Sequence, residues 1–157
     1  MPRKKSRLAV HFSSAKQTWG TPVHIFAALD KKYGPFCLDA AADALNAKCP
    51  VYFDESQDSL KQEWAPYGKV FLNPPYKGIA AWIEKCVVES RKGAYIVVLM
   101  PARTDTRYFH DHIYNKKYVD IVFLKGRIKF QGAPAAAPFP SMLAIFKPRP
   151  TGKKKSG

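Results

Sequence analysis

Lys69-Val70-Phe71-Leu72-Asn73-Pro74-Pro75-Tyr76 is the stretch that decides the fold. Val70, Phe71 and Leu72 form a continuous apolar run, which suits a strand buried on both faces. Proline has no N–H for a sheet ladder and a fixed φ, so the pair at 74 and 75 must end the strand at Leu72 or Asn73. Residues 79–91 then carry Trp82, Ile83, Cys86 and Val87 on one face at helical spacing, and Gly93 closes that helix. A strand, a rigid turn and a helix in this order belong to an α/β sheet, where ligands bind at the carboxyl ends of strands.

Working outward, Trp19-Gly20-Thr21-Pro22 reads as a helix entry, with Thr21 as N-cap and Pro22 as first helical residue. Val23, Phe26, Ala27, Leu29 and Tyr33 supply its apolar face, and Gly34-Pro35 stops it. Residues 36–39 and 51–53 are short strand candidates. On the other side, 94–100 is the clearest buried strand, and a polar helix with Tyr108, Phe109 and Ile113 follows. Strands at 119–124 and 142–146 close the chain, separated by the alternating Ile128-Lys129-Phe130 and a Pro/Ala-rich loop at 131–140. The expectation is one Rossmann-like α/β domain over 18–147, its sheet mostly parallel with an antiparallel edge. Basic tails at 1–17 and 148–157 flank it.

Bulk composition agrees with a single domain: 157 residues, 46% of them hydrophobic, support one core. The formal charge is +14, yet nine of the 26 basic residues lie in the first seven and last eleven positions, which hold no acid. The body then carries only +5. Tails of this kind attract any polyanion without reading its sequence: DNA, ribosomal RNA or an anionic membrane surface. Cys37, Cys49 and Cys86 are odd in number and lack CxxC spacing, which suits free thiols in a reducing cytoplasm and speaks against a zinc site. No apolar run reaches membrane-spanning length, and no apolar segment follows the basic start as in a secretory signal. His11, His24, His110 and His112 have no partner set for a metal or a hydrolytic triad, and Ser141 sits in no nucleophile elbow. These absences speak against a hydrolase.

The turn itself has a chemistry. Two prolines remove two N–H groups, so the rim facing a ligand is rich in acceptors: the Asn73 side-chain carbonyl and the Pro74 backbone carbonyl. The amino group of adenine is a poor nucleophile because its lone pair is delocalised into the ring. Two acceptors on its two hydrogens favour a pyramidal nitrogen, which can attack a sulfonium methyl in line. Positioning and electrostatics would supply the rate, with no metal and no covalent enzyme intermediate. Tyr76 offers a face for stacking a planar base, worth about 1–3 kcal/mol, and in duplex DNA the base must first leave the stack. The plain alternative is a strand-terminating turn, since Asn-Pro and Pro-Pro are common turn signals.

Several stretches taken together resemble the phage-type DNA N-6-adenine methyltransferases, a small family related to the Dam enzymes. They are Trp19-Gly20-Thr21-Pro22, Leu38-Asp39-Ala40-Ala41-Ala42, Asp58-Ser59-Leu60 with Trp64, and Asn73-Pro74-Pro75-Tyr76. Pro101-Ala102-Arg103-Thr104-Asp105-Thr106, Gly126-Arg127-Ile128-Lys129-Phe130 and Pro140-Ser141 complete the set. The resemblance implies catalysis at Asn73, Pro74, Pro75 and Tyr76, with S-adenosylmethionine as cofactor. It implies that Trp19, Thr21 and Pro22 grip the cofactor's carboxylate end, a role suited to a helix N-terminus. Asp39, with Ala40 and Ala41, would meet its ammonium, Asp54 its ribose, and Asp58 with Ser59 its adenine ring. Alanines stand at 40–42 where the common methyltransferase pattern places glycines.

Lys77, Arg103, Arg107, Arg127 and Lys129 are the candidate DNA phosphate contacts, with Phe130 a wall of the base pocket or a core residue. The expected partner is double-stranded DNA with an adenine target. Since the length leaves no room for a separate recognition domain, sequence selectivity should come from 102–118 and 126–141 or be low. RNA adenine and protein glutamine present the same planar NH2 and stay open, as does a non-catalytic nucleic-acid-binding protein on this fold.

Overall fold

The structure, a computed structural model, describes residues 20–150. Trp19 and most of both basic tails lie outside the described residues. Helix α1 (Val23–Tyr33) leads to β1 (Leu38–Asp39), and three single 3-10 turns over 55–67 lead to β2 (Lys69–Leu72). Helix α2 (Ile79–Arg91), β3 (Tyr95–Pro101), a π-helical turn (Phe109–Ile113), β4 (Val119–Phe123) and β5 (Ser141–Phe146) complete the order.

The five strands form one sheet in the order β1-β2-β3-β5-β4. Pairings β1·β2 and β2·β3 are parallel, while β3·β5 and β5·β4 are antiparallel. Four strands therefore point the same way and only β5 is reversed. The antiparallel end expected from the sequence is present, but the reversed strand lies inside it, between β3 and β4, and the edge strand β4 runs with the parallel set. Strand order is a long-range property, which is why two closing strands in succession did not reveal it. The 51–53 candidate is reduced to a parallel bridge of Tyr52 to Asp39, and 36–39 to the two residues of β1.

Period-two alternation within continuous apolar runs packs both faces of this sheet. Ile96, Val98 and Met100 of β3 join Val70 and Leu72 against Ile79, Ile83, Cys86 and Val87 of α2, with Phe109 and Ile113 of the π-helical turn. Val97 and Leu99 join Phe71 on the opposite face, against Leu29 of α1, Ile128 and Phe130. Each fully buried Ile or Leu contributes about 1.5–3 kcal/mol relative to exposure. The sheet is thus a rigid platform, and its carboxyl edge is where β1, β2 and β3 deliver Asp39, Asn73 and Pro101.

Two local expectations change. Helix α1 begins one residue late: Pro22 is the N-cap, its carbonyl accepting from Ile25 and Phe26 N–H at 3.1 and 3.0 Å, and no side chain caps it. Thr21, expected to cap, is turned into the site instead. Val23 and Ala27 are exposed, so the buried stripe of α1 is narrower than its composition suggests. The Pro/Ala loop, in contrast, is pinned: Gln131 N–H donates to Gly20 O at 2.9 Å, Ala137 N–H donates to Ile128 O at 2.8 Å, and Ala133 and Ala137 are buried.

Candidate active site

Strand β2 stops at Leu72, as two prolines require, and Asn73 emerges half-buried at its end. Asn73 Nδ2 donates to Thr21 Oγ1 at 3.1 Å across 52 residues of sequence, and Tyr76 Oη reaches Asn73 Oδ1 at a long 3.5 Å. The Tyr76 ring is held edge-on by Phe139 (centroids 5.4 Å, 88°) and Phe130 (6.2 Å, 72°). The Arg103 guanidinium sits over Phe139 at 5.8 Å, beside this aromatic corner. Burial pushes the Tyr76 phenol well above its ordinary pKa, so it stays protonated and serves as a donor and a ring, not as a base.

Asp39, at the end of β1, is 3% exposed. Its Oδ2 accepts from Lys48 N–H at 2.9 Å, while Oδ1 is buried with no hydrogen-bond partner among the described residues. Burial lifts its carboxyl to about 6, against the pull of the Lys48 and Ala41 N–H groups and the Lys48 charge. A buried carboxylate oxygen without a donor is costly and is the natural seat for a cation.

Two spaces open at this edge. A small one, about 20 Å3, is lined by Gly20, Thr21, Asp39, Ala41, Lys48 and Asn73. A cleft of about 470 Å3 adjoins it, sharing Ala41 and Asn46 and continuing past Asp54, Asp58, Ser59, Pro75 and Lys77. That volume falls in the range of small-ligand sites. The expected cofactor residues Thr21, Asp39, Ala41, Asp54, Asp58 and Ser59 therefore line two adjoining spaces. Pro22 and Ala40 are buried and line neither, and Lys77, expected at DNA, lines the cleft.

The acidic wall is built locally. Asp54 Oδ1 accepts from Ser56 Oγ at 2.6 Å and Gln57 N–H at 3.2 Å, closing a capping box. Asp58 takes a left-handed φ of 50°, its carboxylate 3.6 Å from Lys61. Ser59 is 4% exposed and accepts the indole N–H of Trp64 on both O and Oγ at 3.1 Å. Trp64 stacks on Trp82, a cleft residue, and its backbone N–H donates to the fully buried Glu89 at 2.8 Å. Glu89 also accepts from Ala65 N–H, Lys85 and Lys92. Burial would raise the Glu89 carboxyl, but the hydrogen bonds from Ala65 and Trp64 and the Lys85 ion pair outweigh it and hold it below its ordinary value.

Of the expected DNA contacts, Arg103, Arg107, Arg127 and Lys129 are exposed, and Arg127 reaches back to Ala137 O at 3.5 Å. Phe130 is 2% exposed and braces Tyr76, so it supports the ring and offers no surface of its own. The sequence reading passed over Asn46, Lys48 and Phe139, and it placed Trp82 only on the apolar face of α2, where it also lines the cleft. Phe139 lies in a proline-rich loop and Lys48 in an irregular one, where no periodicity singles out a residue. No cluster of three or more metal-ligating side chains occurs among the described residues, and no helix among them is long and apolar enough to cross a membrane.

Residues 10–152 match the family described as DNA N-6-adenine-methyltransferase (Dam). The chain belongs to this family. Its similar proteins include the DNA N-6-adenine-methyltransferase of Escherichia phage T1, 31% identical over 96 residues, or 61% of this chain and 40% of that protein. YfdM of Escherichia coli (strain K12), which carries a methyltransferase name, is 38% identical over 63 residues, or 37% of this chain and 69% of that protein. The matched part of this Dam-family chain thus spans about two fifths of the phage T1 protein's length.

Proposed function

We propose that this chain transfers a methyl group from S-adenosylmethionine to the exocyclic N6 amino group of an adenine swung out of double-stranded DNA, on a Rossmann-like methyltransferase fold. The observation that carries the reading is Asn73, fixed at the carboxyl end of β2 between Thr21 and Tyr76 and beside a buried carboxylate and an acid-walled cleft. Membership in the DNA N-6-adenine-methyltransferase family supports the adenine-methylation part of this reading.

The donor set fits the cofactor. Asp39 Oδ1 has no hydrogen-bond partner among the described residues and would accept an ammonium. Thr21 stands one residue before the N-cap of α1, where a carboxylate is favoured by the helix dipole. Asp54 and Asp58 on the cleft wall can accept from hydroxyl and amino groups. When bound, S-adenosylmethionine supplies an electrophilic methyl on a sulfonium.

This chain's residues would do the rest by positioning. The Asn73 amide oxygen and the Pro74 carbonyl each accept one hydrogen of the adenine amino group and so localise its lone pair. Tyr76, braced by Phe130 and Phe139, stacks on the base. Arg103, Arg107, Arg127 and Lys129, all exposed, hold phosphates. The test is incubation with radiolabelled S-adenosylmethionine and unmethylated DNA, RNA or protein. Label in DNA supports the proposal; label confined to RNA or to protein glutamine assigns the same site to another planar amino group.

A further inference from the structure

A methyl transfer needs the base and the methyl donor held at one separation, yet the two halves of this site come from different parts of the chain. The base side is the aromatic corner of Tyr76, Phe130 and Phe139, and both phenylalanines belong to the 128–139 segment. The cofactor side is the wall of the small space, which includes Gly20, Asp39, Asn46 and Lys48. Gln131, the residue directly after Phe130, joins them. Its N–H donates to Gly20 O at 2.9 Å in an isolated antiparallel bridge, and its Oε1 accepts from Lys48 Nζ at 3.1 Å. Lys48 Nζ also donates to Asn46 O at 2.9 Å, and the Lys48 backbone N–H donates to Asp39 Oδ2 at 2.9 Å. The approach is close enough to favour a glycine: a Cβ at position 20 would fall 2.6 Å from Gln131 Oε1 and 3.3 Å from Asn46 Cβ. Gln131 itself is exposed and lines neither space.

We infer that Gln131 is a positioning residue: its side chain clasps the loop that braces Tyr76 to the wall of the Asp39 space, and so sets the base side against the cofactor side. The inference rests on the proposed reading of those two sides and adds the residue that joins them. The path runs through observed contacts, from Asp39 to Lys48, to Gln131 and, across a peptide bond, to Phe130 and the Tyr76 ring. Phe130 is 2% exposed and close-packed, so a displacement of its neighbour is passed on to Tyr76. A small misplacement of this kind is costly in a reaction that depends on alignment.

The decisive variant is Gln131→Ala, which removes an exposed side chain, keeps the backbone bridge to Gly20 and leaves the core intact. Gln131→Glu, with an acceptor oxygen at the same reach, is the rescue. The first readout needs no ligand: the ring resonances of Tyr76 in carbon-13-tyrosine-labelled protein, assigned with Tyr76→Phe. Gln131→Ala should shift them, and Gln131→Glu should leave them near wild type. Lys48→Met, which keeps its backbone N–H for Asp39, should shift them in the same direction, and the double variant with Gln131→Ala should add little to either single change. The second is kinetic. Gln131→Ala should lower kcat at saturating cofactor and DNA by roughly 5–50-fold with the S-adenosylmethionine Kd changed less than about 3-fold, because Gln131 lines neither space, and Gln131→Glu should restore it. Unmoved Tyr76 resonances would overturn the inference, and so would an intact kcat or a loss confined to cofactor affinity. If wild-type protein methylates neither DNA, RNA nor protein, the proposed function fails, while the Tyr76 resonances still decide for or against the clasp.

Discussion

Asp39 and Asn73 carry the site's electrostatics, and each gives a prediction at the scale of one side chain. Burial raises the Asp39 carboxyl from 3.8 to about 6, so the folded protein holds this proton more tightly than the unfolded chain. Its contribution to stability is fully present below about pH 3.8 and is lost as pH rises through about 6, a change of about 3 kcal/mol. Asp39→Asn should remove that loss, so wild type and variant should diverge in melting temperature across this window; parallel curves would contradict the assignment. A cationic ligand needs the ionised form, so S-adenosylmethionine should bind wild-type protein more tightly as pH rises from 5 to 7. Isothermal titration at several pH values checks this, and a flat profile would remove Asp39 as its partner. Both residues were legible in the sequence, because a carboxylate or an amide directly after an apolar run marks a strand end. Thr21's turn toward Asn73 was not legible, since a Thr-Pro before a helix reads first as a cap.

At the scale of elements, the 54–67 segment is held to α2 by one buried carboxylate. Glu89 takes the N–H groups of Trp64 and Ala65 on one oxygen and Lys85 and Lys92 on the other. Glu89→Ala would leave the buried Trp64 N–H and the nearly buried Lys85 ammonium unpaired, while the exposed Lys92 can turn to solvent, and removal of one partner from such a buried group costs about 3–5 kcal/mol. Urea unfolding should show it; a loss below about 1 kcal/mol would mean the segment holds itself. Trp64→Phe is the milder probe. It keeps an aromatic ring near Trp82 but removes the indole donor to Ser59, so it should weaken cofactor binding more than it lowers stability. Equal Kd values for the two proteins would contradict that. This network was invisible in the sequence because its partners lie 25 residues apart and Glu89 resembles an exposed helix acid. The boundaries of β2 and α2 were legible, since proline and glycine punctuate both. The 51–53 strand faded to a bridge because only its partner β1, two residues long, could have extended it.

Across the whole molecule, four strands share one direction and deliver their carboxyl ends to a single edge, so residues far apart in sequence meet at Asn73. The fold class was legible because long apolar runs alternate with helices, while the place of β5 between β3 and β4 needed contacts that no local pattern encodes. Charge adds a separate layer. Replacing Arg3, Lys4, Lys5, Arg7, Lys153, Lys154 and Lys155 by serine should weaken DNA binding and reduce the salt dependence of log K by up to about 0.9 for each lost phosphate contact. Turnover at saturating DNA should be unchanged, and a loss there would place the tails in the reaction itself. The central proposal is that Asn73, at the end of β2, holds an adenine amino group for methylation. It is tested most directly by mass spectrometry of nucleosides from unmethylated double-stranded DNA treated with S-adenosylmethionine and either wild-type protein or Asn73→Ala. The account predicts N6-methyladenine with wild type and a rate lower by about 10²–10³-fold or more with the variant. No N6-methyladenine with wild type, or the same amount with both, would contradict it.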